Sequence, residues 1–175
     1  ESVGFDYRLK DGDRVAVYPV IESIDVTPAV KLREKPLRKI AFVVDVNLGR
    51  LARLLRLLGF DVLFSNAYAD DEIVAISEAQ GRIVLTRDRR LLHAKAVTHG
   101  YWVRSVWPRR QVDEVVRRFD LANLVRPFSR CADCNGQIEP VAKEALADRL
   151  EPKTKKYYEI FYRCSDCGKI YWEGS

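Results

Sequence analysis

The sequence predicts an α/β fold: a parallel sheet with helices on both faces, followed by a small cysteine-bearing module and preceded by a short β segment. Three observations carry this. Short apolar runs alternate with helical patterns from residue 39 to residue 127, the arrangement of βαβ units. Residues 128–175 change character and hold all four cysteines as two Cys-x-x-Cys pairs. Residues 1–38 hold two β-rich runs around Asp11-Gly12, then Pro28 and Pro36 without any period. The expected units are therefore 1–38, 39–127 and 128–175.

In the first unit, Tyr7-Arg8-Leu9 and Val15-Ala16-Val17-Tyr18-Pro19-Val20 flank Lys10-Asp11-Gly12-Asp13. Glycine supplies the positive φ of a tight turn, so two strands, as a hairpin, are expected. Two strands bury no core alone, so they belong against a neighbour or within a larger domain. Residues 23–39 read as a linker.

The second unit opens with strand 40–45, running into a helix near 48–58. Leu48, Leu51, Leu55 and Leu58 fall on one helical face and Arg50, Arg53 and Arg56 on another. Gly59 ends it. Strand 61–64 follows, then a helix over 71–79 with Ile73, Val74, Ile76 and Ala79 inward. Gly81 precedes strand 82–86, a helix covers 89–97, and strand 101–106 is punctuated by Pro108. A last helix spans about 110–119 on the stripe Val112, Val115, Val116 and Phe119. In the third unit a helix is expected at 141–150, with Tyr157–Arg163 strand-like and Ile170-Tyr171-Trp172 as a return strand.

Bulk properties narrow the function classes. The longest aliphatic and aromatic runs are about five residues, far below the roughly 20 of a spanning helix. No membrane segment or secretion signal is expected, and a cytoplasmic setting follows as the default. The net charge of +5 is unevenly placed. Lys and Arg against Asp and Glu count 7 and 7 over residues 1–38, 15 and 10 over 39–127, and 8 and 8 over 128–175. The excess lies in the middle unit and is mostly arginine, whose planar fork suits phosphate. A basic surface of this kind suits nucleic acid, and equally serves solubility.

Cys131-Ala132-Asp133-Cys134 and Cys164-Ser165-Asp166-Cys167 each let two thiolates reach one ion, and together they make a tetrahedral Cys₄ shell. A structural zinc ribbon is the reading. The 29-residue interval between pairs carries an insert with its own secondary structure.

Asp45 closes the run Ile40–Val44, Asp88 closes Ile83–Arg87, and Asp70 and Asp71 precede a helix. Each acid alone reads as a helix cap or a first-turn charge. Three at strand ends and a helix start of one parallel sheet can also converge at its carboxyl edge, where the carboxyl ends of neighbouring strands lie side by side. Clustered carboxylates call for a divalent cation such as Mg²⁺ or Mn²⁺. That is phosphodiester-hydrolysis chemistry.

The run Phe42-Val43-Val44-Asp45-Val46-Asn47-Leu48-Gly49-Arg50-Leu51-Ala52-Arg53 through Phe60-Asp61 resembles the opening of the Mut7-C family, a branch of the PIN-like ribonucleases. Gly81 through Thr86-Arg87-Asp88-Arg89 does likewise. Arg130-Cys131 through Gly136 and Cys164 to Ser175 resemble that family's C-terminal ribbon. Leu9 through Pro19 is similar to the last strands of the ubiquitin-like domain that often precedes Mut7-C. It lacks the terminal Gly-Gly of sulfur carriers, so sulfur transfer is not expected.

The resemblance implies a PIN-like fold and Mg²⁺- or Mn²⁺-dependent endonucleolytic cleavage of RNA. By position, Asp45 matches the first PIN acid, Asp70 the middle one with Asp71 adjacent, and Asp88 the acid of Thr-x-Asp. Asp113 is a candidate fourth acid. Thr86 or Asn47 would orient a carboxylate or water. Arg87, Arg89 and Arg90 beside the acids, with Arg50 and Arg53, are the candidate RNA contacts. Trp102 and Trp107 could stack bases, although strand aromatics also serve as core. His93 and His99 carry no role. Two alternatives remain: a non-catalytic RNA- or ribosome-binding protein, and a PIN-type toxin component with an antitoxin-like protein partner.

Overall fold

The computed structural model describes residues 40–173, together with Arg8, Lys10 and Asp11. The expected N-terminal hairpin and linker lie outside the described residues. Strands β1 (Ala41–Val44), β2 (Asp61–Leu63), β3 (Ile83–Thr86) and β4 (Gly100–Trp102) form a four-stranded sheet in the order β2-β1-β3-β4. Every pairing is parallel. β1 and β3 are central and buried along their whole length. That explains their unbroken apolar runs, since both faces are covered.

Successive side chains point to opposite faces. Phe42, Val44, Ile83 and Leu85 join one core cluster, and Val43 and Val84 join another. Helices α1 (Gly49–Leu57) and α4 (Pro108–Arg118) close the first face through Leu51, Leu55 and Val115. Helices α2 (Asp70–Gln80) and α3 (Arg89–Leu92) close the second through Ile73 and Leu91. Each such aliphatic side chain, fully buried, contributes roughly 1.5–3 kcal/mol. The prediction of helices on both faces holds.

Several boundaries move for identifiable reasons. The last helix begins at Pro108, whose fixed φ suits a first helical turn. β4 stops at Trp102 instead of reaching residue 106. Val103 N–H donates to Thr86 O as the last ladder bond, because β3 itself ends at Thr86. α3 stops at Leu92 instead of 97. Val97 N–H turns back to Ala94 O, and Leu92 and Val97 pack on the second cluster.

After α4, strands β5 (Ile138–Val141), β6 (Phe161–Cys164) and β7 (Ile170–Trp172) form an antiparallel sheet in that order. The helix expected at 141–150 is absent. Val141 pairs with Phe161 in the ladder, and only a 3-10 turn over Lys143–Leu146 follows. Cross-strand pairing here overrides helix propensity. Helix α5 (Pro152–Tyr157) takes the start of the segment expected to be strand, and β6 begins later at Phe161. The return strand 170–172 forms as predicted.

Among the described residues no helix is long and apolar enough to cross a membrane.

Candidate active site and metal centre

Strand order sets the first site. The chain leaves β1 for β2 on one side and then crosses to β3 on the other. The carboxyl ends of β1 and β3 are therefore adjacent at the point where the order reverses, the usual ligand crevice of an open α/β sheet. Asp45 follows β1 there. Its N–H continues the ladder to Leu85 O at 3.0 Å, and its side chain is 4% exposed. Thr86, the last residue of β3, is fully buried and donates its hydroxyl to Asp45 Oδ2 at 2.7 Å. The same hydroxyl accepts the Asp88 N–H at 2.8 Å. Asp88 is exposed, and its Oδ1 caps α3 by accepting Arg90 N–H at 2.8 Å.

Asp70 is the exposed first residue of α2, which starts at the same end of the sheet. Asp71 Oδ1 accepts Glu72 N–H, and Glu72 reaches back to Ala69 N–H at 2.8 Å, capping that helix. Among the described residues, none of Asp45, Asp70 and Asp88 is paired with Lys or Arg. Their carboxylates are also not drawn as close as the cysteines described next. Among the described residues, Thr86 links Asp45 to the Asp88 backbone, and no hydrogen bond or ion pair joins Asp70 to either. Carboxylate oxygens are the donor type that Mg²⁺ takes, one or two directly beside several waters. Asp113 is exposed on α4.

The second site is the cysteine set. The four Sγ atoms lie within 4.8 Å of one another, with Cys131–Cys167 at 3.6 Å and Cys134–Cys164 at 3.4 Å. A tetrahedral zinc with sulfur at about 2.3 Å needs S–S edges of about 3.8 Å, so the four fit a metal such as zinc. The Tyr171 hydroxyl lies 3.1 Å from Cys131 Sγ and accepts Ala132 N–H at 3.0 Å. Burial pushes that hydroxyl up, so it stays protonated as a donor. Burial opposes ionisation of Cys131, yet hydrogen bonds from Cys134 N–H and Tyr171 outweigh it and bring the thiol down to about 6. Burial pushes Cys134 up to about 12, with neighbouring thiols adding to it. A cation among the sulfurs reverses that balance. Gly136 is required here, since a Cβ would meet Asp166 Oδ2 at 2.5 Å and Cys164 Sγ at 2.9 Å.

A family model described as the Mut7-C RNAse domain matches residues 40–175. The chain belongs to the Mut7-C family. No curated protein and no solved structure matches it. The Mut7-C assignment carries a ribonuclease-like function for the region that holds both sites.

Within this Mut7-C domain the arginines divide. Arg56 does not share the exposed face of Arg50 and Arg53 as the periodicity predicts; it is buried. Its Nε donates to Val62 O at 2.9 Å and its Nη1 to Asp133 O at 2.6 Å and Ala132 O at 3.3 Å. Arg53 pairs with Asp133 at 2.8 Å, and Arg50 is exposed. No sequence pattern marks Asn135 as functional, yet it joins the two sheets. Held at φ 69°, its Oδ1 accepts Val62 N–H on the β2 edge at 2.9 Å. Its Nδ2 donates to Asp61 at 2.9 Å, and Asp61 is gripped by both Nη atoms of Arg82 at 2.8 and 3.2 Å. Burial opposes ionisation of Asp61, but these donors hold its carboxyl below the usual range. The one available signal was Asn directly after a Cys-x-x-Cys pair, a left-handed turn position.

Proposed function

We propose that this Mut7-C domain is a metal-dependent endoribonuclease that hydrolyses RNA phosphodiester bonds at the carboxyl edge of its parallel sheet. The Asp45–Thr86–Asp88 hydrogen-bond chain carries the reading. It ties the buried Asp45 carboxylate, through the Thr86 hydroxyl, to the backbone N–H of Asp88, whose own carboxylate is exposed at the start of α3. Asp45, Asp70 and Asp88 would hold Mg²⁺ or Mn²⁺, with Asp71 next in reach. Such an ion, when bound, lowers the pKa of a water and stabilises charge on phosphate oxygens.

The chain's own residues do the rest. Thr86 fixes one Asp45 oxygen by donating to it, leaving the other oxygen's lone pairs aimed by that constraint. Burial of Asp45 keeps bulk water from competing for it. Arg87, Arg89 and Arg90 flank Asp88 on an exposed segment and attract the phosphate backbone. The cysteine set takes a structural zinc that holds the antiparallel module together, since a closed Cys₄ shell leaves no open position for chemistry.

The test is cleavage of single-stranded RNA with Mn²⁺ or Mg²⁺, with EDTA and Asp45→Asn as controls. Metal-dependent cutting lost in both controls is expected. Tight RNA binding without cutting, unchanged in Asp45→Asn, would replace this reading with a non-catalytic RNA-binding protein.

A further inference from the structure

The chain after β4 presents an unusual surface. Trp107 is 65% exposed and Val106 57% exposed, adjacent to each other on the loop that leads into α4. Large exposed aromatics on loose loops are unremarkable, but this loop is pinned. Glu114 accepts Arg104 N–H at 2.9 Å and Ser105 N–H at 3.1 Å. Gln111, itself buried, donates to Ser105 O at 2.9 Å. Ser105 Oγ accepts Trp107 N–H at 3.2 Å. These bonds fix the backbone that carries the exposed indole, so less loop ordering is needed when a flat partner stacks on it.

Five residues earlier in the chain, at the end of β4, stands a second arrangement. Trp102 pairs in register with Thr86, so its backbone is one strand spacing, about 4.8 Å, from the residue that holds Asp45. The Trp102 indole N–H donates to Arg87 O at 3.2 Å. The Arg89 guanidinium lies over the same ring, 3.9 Å from its centroid, and Arg104 lies 5.4 Å from it. Stacking on the indole fixes the plane of Arg89 while leaving its N–H edge without a hydrogen-bond or ion-pair partner among the described residues. Arg109 and Arg110 add exposed cations at the start of α4. Cations with a prepared aromatic face are the elements of single-strand recognition: guanidiniums for phosphates and a π-face for a base.

We infer that the β4 edge is the substrate rail of this domain, on which one unpaired base of a single-stranded RNA stacks on Trp107 while Arg89, oriented by Trp102, holds a phosphate. The inference rests on the acid site being where the chemistry occurs, and adds what selects the substrate. A duplex cannot present a free base face to Trp107, so the rail discriminates against paired RNA.

The test is equilibrium binding, read by fluorescence anisotropy in EDTA so that no strand is cut. The probes are a labelled oligouridylate of about ten nucleotides, a length within single-strand site sizes, and the same length of RNA duplex. Wild-type full chain is compared with Trp107→Ala, Trp107→Phe, Arg89→Ala and Trp102→Leu, each checked for retained far-UV dichroism. Trp107→Ala should weaken oligouridylate binding about tenfold and leave duplex binding unchanged, with Trp107→Phe retaining most of the affinity. Arg89→Ala should weaken binding and lower the slope of log affinity against log salt by about one phosphate contact. Trp102→Leu should approach Arg89→Ala.

Unchanged oligouridylate affinity in Trp107→Ala, or no preference of the wild type for single strands, overturns the rail. Cleavage that depends on Asp45 alongside unchanged Trp107→Ala binding removes the rail and keeps the nuclease. Binding lost in Trp107→Ala with no cleavage under any metal keeps the rail and removes the chemistry. Failure of the wild type to bind either RNA overturns the rail, and the cleavage assay with Mn²⁺ or Mg²⁺ decides the nuclease separately.

Discussion

The Asn135 side chain donates to Asp61 at 2.9 Å across 74 residues of sequence, joining the cysteine module to the first residue of an edge strand. The other end of the same amide accepts Val62 N–H. One side chain therefore covers an outward-facing strand N–H and supplies a donor to a mostly buried carboxylate. Sheet edges left open invite pairing with other chains, and here the knuckle closes the β2 side.

Asp61 should make stability pH-dependent. Its folded-state pKa is depressed from 3.8, so its stabilisation is complete above about pH 5 and is lost as pH falls through the folded value. Asp61→Asn should lower stability at neutral pH by about 3 kcal/mol, because Arg82 is left buried without its counter-charge. It should also flatten the acid limb. Urea denaturation at pH 7 and below pH 4 checks both; equal losses at the two values would contradict the assignment.

Arg56 should prove structural. Its guanidinium bonds carbonyls of Val62, Ala132 and Asp133 at once. Arg56→Leu should cost about 3 kcal/mol by leaving those carbonyls without a donor. Arg56→Lys should recover only part of it, since an ammonium lacks the fork geometry. Denaturant midpoints for the pair decide it, and full rescue by lysine would exclude a fork role.

Removing the metal should act beyond the cysteines. Knuckle residues Ala132, Asp133 and Asn135 make the hydrogen bonds that join Arg56 and Val62 to the module among the described residues. Chelation, or Cys131→Ser, should release one zinc per chain, lose the antiparallel sheet and expose the β2 edge. Hydrogen exchange read by mass spectrometry should show Val62 losing protection together with residues 138–172. Loss confined to 131–172 would show that the two sheets are independent.

Thr86→Val keeps the side-chain shape but removes the hydroxyl that donates to Asp45 and accepts from Asp88 N–H. Cleavage should fall about 10–100-fold, the usual scale for losing a group that orients a metal-binding carboxylate. RNA affinity measured in EDTA should not change. An equal loss in both would make Thr86 a folding residue only.

Gly59→Ala should fail to fold well. Gly59 has φ 93°, and a Cβ there would meet Arg126 O at 2.2 Å. The strain and the clash with backbone together predict a loss above about 2 kcal/mol, seen as a lowered thermal midpoint. A helix C-terminal role alone would predict far less, because the clash comes from residue 126.

Local information carried much of this protein. Unbroken apolar runs announced β1 and β3, the leucine period announced α1, and Cys-x-x-Cys spacing announced a four-sulfur site, because each is a pattern within one element or one loop. The acids were legible as strand-end and helix-start positions for the same reason. What a pattern cannot encode is a partner. Periodicity gave Arg56 the same face as Arg50 and Arg53, but the docked knuckle buried it. A helical-looking 141–150 became a strand end and a 3-10 turn, because Val141 met Phe161 across a ladder. The link between Thr86 and Asp45 needed β3 to settle beside β1, and the link between Asn135 and Asp61 needed the module to settle on β2. The sequence by itself determined the strands and main helices of the parallel-sheet unit and the thiolate pairs, but not the elements between the two cysteine pairs. Only the tertiary structure decided which polar groups meet, because those bonds join residues that no local period relates.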